Sequence, residues 1–207
     1  MFFINLLDER FQTQDHKLSE VSMKLDRKER FAIANQLKIL EALYPEEASR
    51  YAIQRTAFED GYESHYEWAM ESISNDVLSE EESDEVINTL DMFSALKRSL
   101  QKLDDKTGLD EYDFKFRGYD GNHPKECKLL GYARYYVIEL ERFQDVLDGQ
   151  TSHFDFNSHM EIRSVYSRML SEWMKIPSGI ELGGRHNLTK AQIQTILNAT
   201  THPNNRG

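Results

Sequence analysis

The sequence predicts a mainly α protein, a multi-helical single domain with a minor extended or β segment near residues 112–119. Three observations lead there. Apolar residues recur at spacings of three and four along most of the chain, the period of an amphipathic helix. Four stretches, opening at Asp26, Ser79, Ser158 and Thr189, carry a Glu or Gln three residues later, the pattern by which a helix start satisfies its free N–H groups. Against these, YDFKFRGY at 112–119 alternates aromatic and polar residues as a half-buried strand does, with Phe114 and Phe116 on one face.

Taken in order, residues 1–22 read as an N-terminal extension, a short helix or a tail, with Phe2, Phe3, Leu6, Leu7 and Phe11 at helix-compatible spacing and Met23 placed as a natural start. This apolar run lacks a basic lead and stops at Asp8, so it is too short to target or span a membrane. Asp26 and Glu29 open a helix with Phe31, Ala34, Leu37 and Leu40 as its stripe. Pro45 with Glu46 and Glu47 suits the positive end of the next helix, which runs through Ala48, Tyr51, Arg55 and Phe58 to Gly61. Tyr62 to Ile73 reads as a third helix, with Trp68 as a core anchor.

Ser79 and Glu82 start a long helix whose apolar set is Val86, Leu90, Phe93, Leu96, Leu100 and Leu103. Beyond Pro124, the residues Leu129, Ala133, Tyr136, Leu140, Phe143 and Leu147 predict a second long helix, with Lys128, Tyr132, Tyr135, Glu139 and Arg142 on another face. Ser158 and Glu161 are expected to cap a helix carrying Tyr166, Met169, Leu170 and Trp173, and Thr189 with Gln192 to cap the last one, with Ile193, Ile196 and Leu197 closing the core. The domain is expected over 23–200, with 201–207 a disordered tail.

Composition limits the function classes. With 25 Lys and Arg against 36 Asp and Glu, the formal charge of −11 repels phosphate backbones and anionic lipid, so neither nucleic acid nor membrane is an expected partner. A lone cysteine, Cys127, cannot form an internal disulfide, and the chain reads as cytoplasmic.

Several segments together identify a relationship. ERFAIANQLKILEALYPEEASRYAIQR, FRGYDGN followed by LLGYARYYV, then HFDF, YSRMLSEW and LTKAQIQTILNA, in this order and spacing, resemble the YfbU family over residues 24–199. The resemblance implies a small, mainly helical bacterial cytoplasmic protein and brings no assigned activity. The first 22 residues and the Gly183-Gly184 loop depart from the family's pattern.

No catalytic residue, metal or cofactor is assigned. His153, Asp155, His159 and Glu161 crowd one stretch, but no pair has the spacing that sets two histidines on one helical face, and His153 and Asp155 are expected to satisfy backbone groups at a turn. Arg117 and His123 have the Arg-x5-His spacing of some helical ribonucleases, yet Gly118 and Gly121 break the helix such a pair requires. Cys127 lies where a helix start could stabilise a thiolate, and it is expected to be an unreactive packing residue.

Arg134, flanked on its helix by Leu130, Val137 and Ile138, is expected at the core's edge, paired with Asp120 or Asp155. The sharper alternative groups it with Arg117, Tyr119 and Tyr132 around a small anion or a partner's acidic peptide. The candidate ligand- or partner-binding residues are therefore Arg117, Tyr119, Asp120, Tyr132, Arg134, Tyr135, His153 and Asp155. Tyr132 and Tyr135, off the apolar stripe, together with a free strand edge at 112–119, predict a homodimer or higher homo-oligomer. The function expected is an oligomeric helical interaction or regulatory module with an unknown protein partner. The alternative is an enzyme, either an RNA-cleaving hydrolase or one acting on a small anionic ligand.

Overall fold

The computed structural model describes residues 23–147, 155–178 and 184–202. Of these residues 65% are helical and none lies in a strand or sheet. They fall into two compact units, one ending at Asp76 and the other beginning at Val77, and the domain expected over 23–200 spans both. The extension at 1–22 lies outside the described residues, as does the expected C-terminal tail beyond His202.

In the first unit, α1 (Arg27–Leu43) opens on the expected capping box. The Asp26 carboxylate accepts from the N–H groups of Lys28 and Glu29 at 2.7 and 2.9 Å, and Glu29 accepts from the Asp26 N–H at 2.7 Å. Such a cap contributes about 1 kcal/mol. A 3-10 turn, Pro45–Glu47, leads into α2 (Ala48–Asp60), which packs on α1. Gly61 ends α2 with φ 78°, a left-handed conformation that glycine adopts without penalty. Arg55 ties the two helices together, reaching Glu41 and Glu59 at 2.6 Å each, and these carboxylates push its guanidinium pKa up.

Ala34, Leu37, Phe58 and Tyr66 form this unit's core, with Phe58 and Tyr66 stacked at 4.8 Å. Three expectations fail here. Tyr62–Ile73 is a 3-10 helix over Glu63–Met70 rather than an α-helix, and Trp68 is 48% exposed rather than a core anchor. At three residues per turn Tyr66 faces inward and Trp68 turns away from it. Phe31, expected in the inner stripe of α1, is also exposed.

In the second unit, α3 (Glu80–Lys102) is the central element. Its Ser79–Glu82 capping box is present, and buried residues run from Val86 to Ser99 over more than one face, because α4 (Glu126–Arg134), α5 (Arg163–Met174) and the segments 144–147 and 184–186 all pack on it. Phe93, Phe116, Tyr119, Phe156 and Tyr166 interlock in the core at ring separations from 5.2 to 6.3 Å. Each such ring contributes about 1.5–3 kcal/mol by burial. α6 (Lys190–Asn198) carries the third expected capping box, Thr189 with Gln192, and packs on α5.

Three elements of this unit differ from expectation. Residues 111–114 form a 3-10 turn, and the extended stretch after it makes a single bridge, Tyr119 with Asn157, so no strand edge is left open there. Phe114 and Phe116 are nevertheless both buried, as their alternation predicts. The long helix expected to reach Leu147 stops early: α4 gives way to a π turn at Tyr135–Glu139, then to Glu141 and Phe143 at φ 54° and 49°, then to a 3-10 turn at Gln144–Leu147. α5 begins at Arg163 without a side-chain cap of its own, and Ser158 instead donates to the Met160 carbonyl at 2.7 Å.

Candidate functional site

The loop from Arg117 to Asn122 is organised by Glu126, a buried carboxylate in the first turn of α4. Glu126 accepts from the backbone N–H of Asp120 at 2.9 Å, of Ile162 at 3.1 Å and of Arg163 at 2.8 Å. It thereby supplies from another helix the cap that Ser158 was expected to provide for α5, and an anion at a helix start is favoured by the dipole. Arg163 in turn reaches across to α3, its guanidinium meeting Glu85 at 2.7 and 3.0 Å. Gly118 completes the junction: it has φ 82°, and a Cβ there would stand 1.9 Å from the Phe156 carbonyl oxygen.

Around this hub the predicted residues separate. Tyr119 is fully buried, its hydroxyl beside Thr89, whose own hydroxyl donates to the Glu85 carbonyl at 2.8 Å. Burial pushes the phenol pKa of Tyr119 up, and does the same to Tyr166, which accepts from the Arg117 N–H at 3.1 Å. Tyr119 therefore lines no pocket with Arg134. The Arg117 guanidinium lies over the exposed Tyr112 ring, 5.6 Å from its centre. Asp120 and Asp155 cap their own turns, accepting from Asn122 and Asn157 at 2.9 and 3.0 Å. Arg134 is exposed and pairs with neither, and both carboxylates accept from local backbone. His153 lies outside the described residues.

His123 accepts from the Glu126 N–H at 3.3 Å through Nδ1 and faces Glu161 with Nε2 at 3.3 Å, while Arg117 is held on Tyr112. The pair is thus not gathered into one general acid–base site. Cys127 is exposed and its thiol donates to the Pro124 carbonyl at 3.2 Å. Among the described residues no three His, Cys, Asp or Glu side chains are grouped to hold a metal ion.

What the structure does assemble is an aromatic ladder that runs from α4 through the π turn and ends at a polar recess. Tyr135, Tyr132, Tyr136 and Phe143 follow one another at ring separations of 6.3, 5.9 and 6.0 Å. Tyr132 packs partly on the core, whereas Tyr135 is 43% exposed. Phe143 lines a recess of about 610 Å³ together with Lys97, Arg98, Gln101, Glu141, Gln144 and Asp145.

Asp145 is the anchor of this recess. It accepts from Ser94 at 2.5 Å and Arg98 at 2.9 Å, and its carbonyl accepts from Lys97. Gln144 donates to the Val137 carbonyl that the π turn would leave open. Nearby, desolvation raises the Asp91 pKa against the opposing pull of His186, Arg98 and Arg185.

Glu126, Asp145 and Gln144 were missed by sequence reasoning. Glu126 has the pattern of an acidic first turn after a proline, indistinguishable from a solvated one. The single signal for Asp145 was a position just off the expected stripe at Leu147.

A family model, the YfbU domain, matches residues 23–199, a span that includes the α1–α2 pair, the Glu126 junction and α6. The order of motifs expected from the sequence and the geometry built on them therefore agree with a match over most of the chain, and the chain belongs to the YfbU domain family.

Proposed function

We propose that the chain is an oligomeric helical interaction module of the bacterial cytoplasm, which recognises a protein partner through apolar and aromatic surface rather than transforming a substrate. The observation that supports it is that large apolar side chains meet water in both units, among them Phe31, Ile39, Leu43, Ile53 and Trp68 in the first and Val77, Tyr112, Tyr135 and Met160 in the second. Contiguous exposed apolar surface above a few hundred Å² marks an interaction site. Arg117, Arg134, Tyr135 and Asp155, with the rim of Tyr132, serve as partner contacts in this reading, while Tyr119 and Asp120 hold the loop behind them. The exposed thiol of Cys127 suits a reducing compartment.

Light scattering coupled to size exclusion at micromolar concentration tests the oligomer. The expected mass is about twice the 24.3 kDa of one chain, and a single-chain mass at every concentration removes it.

A second reading, a site for a small anion, is favoured by the recess that Lys97 and Arg98 line. Thermal melting with added inorganic phosphate tests this. A concentration-dependent rise in Tm supports it, and an unchanged Tm up to high phosphate removes it.

A further inference from the structure

We propose that two copies of this chain pair antiparallel through the outer face of α1, in a register that sets Phe31 of one copy opposite Leu43 of the other. The proposal rests on the oligomeric reading above and says which surface carries it.

At 3.6 residues per turn, α1 is apolar on two opposite sides. Ile33, Ala34, Leu37 and Leu40 face the core of the first unit. Phe31, Ile39 and Leu43 lie on the far side, with Asn35 between them, and are 69%, 59% and 65% exposed. Apolar surface on the side away from the core is stabilised when a partner removes it from water. These three side chains leave on the order of 300 Å² of apolar surface per copy in water, a substantial part of the ~800 Å² that each partner contributes to a standard interface.

Charge identifies a second copy as the occupant. The start of α1 is net basic, with Lys24, Arg27 and Lys28 against Asp26 and Glu29, and the turn just beyond its other end is acidic, with Glu46 and Glu47. Arg27 and Lys28 sit at the positive end of the helix dipole, which disfavours them in an isolated helix. Glu47 is held by Arg50 at 2.7 Å, while Glu46 is exposed. Antiparallel pairing about a two-fold axis brings each basic end against the other copy's acidic end. The register that sets Phe31 opposite Leu43 also sets Asn35 opposite Ile39, and it brings the first turn of α1, with Lys28, toward the partner's Pro45–Glu47 turn just past the helix end. One antiparallel offset thus matches the apolar positions and draws the basic and acidic ends together, and a two-fold interface uses each contact twice.

Light scattering on the full chain tests the pairing. The parent is expected at about twice 24.3 kDa, and Ile39→Glu with Leu43→Glu at the mass of one chain with unchanged far-ultraviolet circular dichroism, since both positions are exposed. Lys28→Glu is expected to shift the protein toward the single-chain mass, and adding Glu46→Lys to restore the dimer. Loss of fold does not explain such a rescue, because a glutamate suits the first turn of a helix. A parent that is monomeric at every concentration overturns the oligomeric reading and this pairing together. A dimer that survives Ile39→Glu with Leu43→Glu overturns this pairing and leaves the oligomeric reading standing. Failure of Glu46→Lys to rescue Lys28→Glu overturns the antiparallel register.

Discussion

Glu126 and Arg134 exchange the roles that their positions in the sequence suggest. Arg134 sits among Leu130, Val137 and Ile138 along the helix, yet its side chain is exposed and its expected carboxylates, Asp120 and Asp155, cap local turns instead. Glu126 has the pattern of an ordinary solvated acid, yet it is 3% exposed and receives three backbone N–H groups from two segments. Truncation therefore has opposite consequences at the two sites. Glu126→Ala strands buried donors at Asp120, Ile162 and Arg163 and is expected to cost roughly 3 kcal/mol, whereas Arg134→Ala is expected to stay within about 0.5 kcal/mol of the parent. Urea unfolding of the two variants side by side measures this, and equal midpoints would refute the assignment.

Asp91 supplies a pH dependence at the same scale. Desolvation raises its folded-state pKa above the ordinary 3.8, with His186, Arg98 and Arg185 opposing and Asp145 reinforcing the rise. A carboxyl raised on folding favours the folded state while protonated, and that contribution is lost as pH climbs through the folded-state value. Asp91→Asn, which removes the ionisation, is expected to gain Tm relative to the parent as pH rises above about 3.8. Parallel melting curves from acid to neutral pH would show instead that the cations around Asp91 fully offset its burial.

At the scale of elements, the interruption of the expected helix beyond Arg134 is the instructive case. The apolar stripe runs on through Leu140, Phe143 and Leu147, and no glycine or proline falls between 132 and 147. Local propensity therefore has nothing with which to announce a break. The chain breaks because Asp145 is bound to Ser94 and Arg98 on α3, which a straight helix would not reach in this way. Left-handed conformations at Glu141 and Phe143 cost on the order of 1–3 kcal/mol each, and these charge-assisted bonds offset part of that. Asp145→Ala is expected to lower stability by about 2 kcal/mol and to raise amide exchange across 135–147 first. Exchange rising uniformly through the second unit would instead mean that the π turn holds without this anchor.

For the whole molecule, the legible part is whatever depends on residues close together in the chain. Helical content, three of the four capping boxes, the central apolar helix from Ser79 and the family follow from periodicities and spacings of three or four residues, because one turn of helix suffices to express them. The fourth box failed at Ser158 because a distant carboxylate, Glu126, supplied the cap, and no local pattern records a partner 36 residues away. Phe31 and Trp68 failed for a related reason: periodicity says that a face is apolar but not whether anything covers it, and among the described residues the coverage of α1 stops at one side. The eight candidate residues share a neighbourhood in sequence, but tertiary packing drew Tyr119 into the core, left Arg134 and Tyr135 on the surface, and joined Phe143 to Lys97 and Arg98 in a recess. Sequence by itself determined that the fold is mainly helical and where α1, α3 and α6 begin, since a capping box is decided by hydrogen bonds within a few residues. Tertiary structure alone decided which faces and carboxylates those helices bury, because burial is a property of neighbours that the chain brings together only once it has folded.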